Sequence, residues 1–227
     1  MRNMQVYLCG LYVFVGVSVA SAVTPPMPPL TNGDGDATHN GMKHALVSQA
    51  GNALAVHVSD PPPTPVVMTS GFGVDYTPDK FNVLENVYFN AQHGWLPDGP
   101  FNLPADSAIW IERTGATQPA GSTFRVYDGG NGSEGMAVWT MDELYTSNGF
   151  RWKWDGVMQH DYFTADSAGD YSMSFHVYVG DLQGNPLTSM TGADATFQFR
   201  VVPEPPMMSL LAVVTVTAIA FGRRRTT

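Results

Sequence analysis

Cysteine is almost absent from this chain. The only one among 227 residues is Cys9, inside the first apolar segment. The rest of the chain therefore has no disulfide, no thiol nucleophile and no cysteine metal ligand. Basic residues are scarce too. Of eleven Lys/Arg, Arg2 lies in the first segment and Arg223, Arg224 and Arg225 lie near the C-terminus. Seven then face twenty Asp/Glu between Val23 and Pro205, a formal charge of −13. A surface of that sign repels phosphate backbones, which excludes nucleic acid as a partner.

Catalytic signatures are missing as well. The sequence has no H-E-x-x-H, no phosphate loop and no dinucleotide fingerprint. Asn131-Gly132-Ser133-Glu134-Gly135 lacks the first glycine of a nucleophile elbow. Asp142 and Glu143 are neighbours in sequence, so they do not face each other across a substrate as a glycosidase pair must. No enzymatic activity is expected.

What is present begins at the two ends. Arg2 precedes an apolar run from Val6 to Val19, and Ala20-Ser21-Ala22 gives a small-x-small cleavage site, with Ala20 and Ala22 at its two positions. Residues 1–22 read as a signal peptide, after which Thr24-Pro25-Pro26 breaks any helix. At the other end Val202-Pro203-Glu204-Pro205 precedes an uncharged run from Met207 to Gly222, then the arginine cluster. As a helix, residues 207–222 would span about 24 Å at ~1.5 Å per residue. That is short for a hydrocarbon core of about 30 Å, but it is still the expected transmembrane helix. Arg223, Arg224 and Arg225 would act as the stop on the cytoplasmic side.

Between the ends, alternation dominates. Tyr171, Met173, Phe175, Val177 and Val179 fall on one face of a strand, with Ser172, Ser174, His176 and Tyr178 on the other. Ala195, Phe197, Phe199 and Val201 alternate the same way after a turn-rich stretch at 180–186. Phe150, Trp152 and Trp154 form a third pattern. Further strands are expected at 53–58, 83–89, 108–112, 123–127 and 136–140. Thr140 and Glu143 fit a capping box, and Gly149 would close the one short helix expected. The predicted fold is an all-β antiparallel sandwich, immunoglobulin-like or jelly-roll-like, over residues 41–201. Residues 23–40 form a Pro/Gly-rich linker before it and 202–227 the tail after it. The proline-rich stretch at 60–65 is either a long loop or a boundary.

Five histidines fall outside the cleanest core strand: His39, His44, His57, His93 and His160. Imidazole is the commonest metal ligand, so these five are the candidate zinc ligands. Their spacing matches no established zinc motif. Asn32-Gly33-Asp34-Gly35-Asp36 opens like a calcium loop, but Ala37 and Lys43 stand where glycine and the bidentate carboxylate belong. A solvated turn is the better expectation. The five tryptophans would suit sugar stacking if they were exposed, which keeps an adhesin for extracellular polysaccharide among the alternatives.

The tail also carries a family resemblance. Val202-Pro203-Glu204-Pro205, an apolar span and an arginine-rich end, paired with a leader at the other terminus, resemble the PEP-CTERM sorting signal of exported bacterial proteins. The resemblance covers about a tenth of the chain. It implies export, processing by a signal peptidase and an exosortase, transient or stable membrane attachment through the C-terminal helix, and a destination in the cell envelope or extracellular matrix. More loosely, His39 and His44, the strand around His57, and His160-Asp161-Tyr162-Phe163 before Gly169-Asp170-Tyr171 are similar to choice-of-anchor surface β domains. Some relatives of those domains are linked to zinc.

Overall fold

The computed structural model describes residues 27–130 and 139–203. The leader, the tail beyond Pro203 and most of the 136–140 strand expectation lie outside these residues. Among the described residues no helix is long and apolar enough to cross a membrane.

The described residues form an all-β fold, with thirteen strands among them in three sheets. The central sheet holds β7 (Ser107–Thr117), β10 (Arg151–Trp154), β12 (Gly169–Asp181), β13 (Ala193–Val201) and the short β3 (Val66–Val67), in the order β10-β7-β12-β13-β3. The second sheet is β2-β1-β6, made of β1 (Lys43–Ala50), β2 (Ala53–Val58) and β6 (His93–Pro97). The third is β4-β5-β11-β8-β9, made of β4 (Thr69–Ser70), β5 (Tyr88–Asn90), β8 (Phe124–Tyr127), β9 (Glu143–Leu144) and β11 (Tyr162–Ala165).

The alternation in β12 and β13 explains why the layers stack. Met173, Phe175, Val177, Phe197 and Phe199 point one way and are buried. Trp95 of the second sheet meets Phe175 and Phe197 at centroid separations of 5.4 and 4.9 Å. Phe163 of the third sheet stacks on Phe199 at 4.6 Å. The second and third sheets thus share one core against the same face of the central sheet, an arrangement consistent with a sandwich. The chain passes between those two sheets at residues 91–92 and again at 160–161.

Three expectations need correction. The helix at 140–149 does not form. The Thr140 hydroxyl bonds the Asp142 carboxylate instead, and Glu143–Leu144 pair with Tyr127 and Val126. Cross-strand pairing outweighs the local capping signal there, and Tyr145 then adopts φ 52°. The strand expected at 83–89 forms only at its end, where Tyr88 and Phe89 belong to β5; Val83 and Leu84 close a 3-10 turn, Asp79–Leu84, which buries Phe81 and Leu84. Nor is the pairing wholly antiparallel: β1 runs parallel to β6, and β13 parallel to β3. Long intervening segments make those pairings topologically possible. The regular helical turns found, Ala37–His39 and Asp79–Leu84, are both of the 3-10 kind.

Candidate functional site

The passage between the second and third sheets breaks strand pairing, so backbone groups there need other partners. Polar side chains supply them. Gln92 is fully buried and donates from Nε2 to the carbonyls of His39 and Gly41, both at 2.8 Å. Asn90 accepts from the Gln92 amide at 2.8 Å and donates to its Oε1 at 2.9 Å. Lys43, only 1% exposed, donates from Nζ to the Ser59 carbonyl (2.6 Å), the Pro62 carbonyl (2.6 Å) and Asp60 Oδ1 (3.0 Å). These three bonds fasten the proline-rich 60–65 stretch as a loop on the sandwich.

A second part of the seam is acidic. Asp161 Oδ1 accepts from Gln159 Nε2 at 2.8 Å and from the Gly129 amide at 3.3 Å. Gln159 Nε2 also donates to Asp128 at 2.7 Å. Burial pushes the Asp161 carboxyl up to about 7. Burial, with the Asp161 and Asp128 charges nearby, also pushes the Tyr145 phenol well above its ordinary value. Among the described residues neither Asp161 Oδ2 nor Tyr145 Oη has a hydrogen-bond partner.

The histidines divide into separate environments. His39 Nδ1 pairs with Asp34 Oδ2 at 2.6 Å, and that bond raises its pKa. The Asp34 and Asp36 carboxylates also accept from the backbone amides of Asp36 and Thr38, both at 2.9 Å, so the calcium-like segment folds as a self-bonded turn. His93 points into the core. Its ring stacks on Phe197 at 4.3 Å, and burial followed by the Lys43 charge lowers its pKa to about 3.

The other three candidates share a face. Ala45 and Val47 of β1 are buried, so His44 and Leu46 point to the opposite side. His44 pairs with Gly94 of β6, and Leu46 pairs with His57 of β2. Trp95 and Gln159 exchange backbone bonds of 2.8 and 3.0 Å as an antiparallel bridge, which sets His160 opposite Gly94. His44, Gly94 and His160 therefore form one row across three segments. A Cβ on Gly94 would overlap the His160 ring, so only glycine lets that ring lie across the row. The His44 and His160 rings meet edge to face, with centroids 5.4 Å apart at 70°.

The nitrogens of this row are defined by their surroundings. His160 Nδ1 lies 2.9 Å from the Ala91 carbonyl, which can only accept. The proton therefore sits on Nδ1, and Nε2 carries a lone pair. Among the described residues, Nε2 of His160 and Nε2 of His44 are both buried without a hydrogen-bond partner. Burial lowers the pKa of both imidazoles, which keeps them neutral at neutral pH. Among the described residues no three His, Cys, Asp or Glu side chains converge on a metal position as placed. The five histidines thus do not make one centre; two are adjacent and His57 stands on their face.

The tryptophans are buried or half-buried. Trp95 and Trp154 are in the core. Trp110 Nε1 donates to the Asp181 carbonyl at 2.9 Å, and Trp139 Nε1 to the Asp128 carbonyl at 2.7 Å. No tryptophan is among the exposed large apolar side chains of the described residues.

Sequence reasoning singled out His44, His57 and His160 but missed Lys43, Gln92, Gln159 and Tyr145 as members of a buried polar seam. Lys43 did leave a signal: it shares the inward parity of Ala45 and Val47, where a lysine must find partners. Compared with family models, curated proteins and solved structures, the chain matches none.

Proposed function

We propose that this chain is an exported protein of the cell surface or extracellular matrix, delivered through a PEP-CTERM-type tail, whose β domain acts as a structural or binding component without catalysis. The observation that carries the reading is the ordered tail, Val202-Pro203-Glu204-Pro205, an apolar run, then three arginines, opposite a leader with a cleavage site. The fold supports it at one point. β13 ends at Val201, and Val202, 53% exposed, and Pro203 leave the sheet at once. The described chain thus leaves the sandwich exposed at Val202 and Pro203, at the start of the segment on which an exosortase would act. A body of formal charge −13 without cysteine suits an exterior in which no thiol chemistry is required.

The test is cell fractionation combined with the intact mass of the mature protein. The expected mass lacks residues 1–22 and is shortened near Pro203–Pro205. Deleting 203–227 should move the domain from the envelope into the medium. Full-length, uncut protein folded in the cytosol would overturn the reading.

A further inference from the structure

We infer that the outward face of the β2-β1-β6 sheet is a binding site for a borderline divalent cation of the Zn²⁺ class, held by Nε2 of His44 and Nε2 of His160 and completed by His57. The inference does not depend on export, so the two readings fail separately.

The strongest support is the unused nitrogen pair. A buried ring nitrogen without a partner forfeits the free energy of a hydrogen bond. Two such atoms belong to neighbouring rings, with centroids 5.4 Å apart, on residues that pair with or face the same glycine. The Nδ1–H of His160 bonds a backbone carbonyl, the outer contact that metal-bound histidines generally make to fix their tautomer and aim the other nitrogen. Gly94 holds the space beneath that ring open.

The third ligand comes from register. His57 pairs with Leu46, two residues along β1 from His44, which makes His57 and His44 diagonal neighbours on one face. Such neighbours lie about 7–8 Å apart, within reach of imidazole side chains. His57 is exposed on that face. Three imidazoles suit zinc, and imidazole also accepts cobalt, nickel and copper. Calcium and magnesium, which require oxygen ligands, are excluded by the same donor set.

The experiment uses the purified full-length chain, stripped with chelator and titrated with Zn²⁺ by calorimetry. Co²⁺ serves as a spectroscopic substitute whose ligand-field bands report nitrogen ligation. One equivalent is expected to bind. His44→Gln, His160→Gln and His57→Ala should each weaken binding by at least the ~10–100-fold seen for changes outside a metal's own ligands. His176→Ala, on the outer face of the central sheet and paired with Asp194 at 2.6 Å, should bind like the parent. Circular dichroism and urea midpoints identify any variant that fails to fold; for such a position, bleaching of the replaced histidine's Hε1 resonance by substoichiometric Cu²⁺ in the parent protein reads ligation directly. Zn²⁺ affinity unchanged in any folded variant of the three, or a parent protein that binds no more Zn²⁺ than the His44→Gln/His160→Gln double variant, overturns the site.

Discussion

Lys43 shows how one residue can decide a local structure. Its ammonium is nearly inaccessible, yet its three protons all have acceptors, two of them carbonyls of the 59–62 stretch. A buried cation survives only under such full satisfaction. Replacing it with methionine keeps the volume but strands two carbonyls. We expect Lys43→Met to lower the unfolding free energy by about 2–4 kcal/mol, measured by urea denaturation. The loss should come with faster proteolysis in the 59–65 loop. A stability within experimental error of the parent would show that the lysine is dispensable. At this scale the sequence was only partly legible. The inward parity of Lys43 could be read from Lys43, Ala45 and Val47, but its acceptors lie sixteen to nineteen residues away and follow from the fold of the proline-rich loop.

At the scale of elements, period-2 alternation was the reliable guide. It placed β12 and β13 within a few residues, because a run such as Tyr171 to Val179 has one face that only a core can take. The same reasoning yields a paired test. Phe197, 1% exposed, touches Trp95, Phe163, Phe175 and His93, so Phe197→Ala should cost about 3–5 kcal/mol. Gln198 points the other way and is exposed; Gln198→Ala should stay within about 0.5 kcal/mol in the same urea titration. Comparable losses at the two positions would contradict the assigned faces. The strand β6 escaped notice because His93, Gly94 and Pro97 carry no strand signature. What makes it a strand is a parallel partner fifty residues earlier in the chain. The candidate site shares that limitation. His44, His57 and His160 were visible one by one, but the row that joins the first and last is built from register between distant segments, which local sequence does not encode. The capping box at Thr140 failed for a related reason: it is a local preference worth about 1 kcal/mol, and cross-strand partners replaced it.

For the molecule as a whole, two buried titrating groups oppose each other. His93 has a folded pKa near 3, below its ordinary 6.5. The unfolded chain therefore takes up a proton at this residue first as pH falls, and stability is lost from about pH 6.5 downward until pH 3. Asp161 has a folded pKa near 7, above its ordinary 3.8. The folded state holds that proton longer, so stability is lost as pH rises from about 4 to 7. In the window from about pH 4 to 6.5 the two slopes cancel. His44 and His160, whose pKa values burial also lowers, lose stability together with His93 as pH falls below about 6.5. In chelator-treated protein the melting temperature should therefore fall less steeply with decreasing pH in the parent than in Asp161→Asn, and His93→Phe should remove part of the fall on the acid side. Asp161→Asn should raise Tm at pH 8 and leave it almost unchanged at pH 4. A pH profile identical to the parent's in both variants would show that neither group titrates as placed.

One more property follows from where the described chain leaves the sheet. β12 flanks β13 along nine residue pairs, and β3 pairs on the other side with Phe199 and Arg200, next to the point where the chain leaves. A tether attached just beyond Val201 would load this strand along its own axis. Its ladder bonds would then share the force in shear rather than opening one after another. A domain hung from such a strand withstands drag far better than one hung from a peripheral hairpin, and it would yield mechanically only when the whole strand slides out at once.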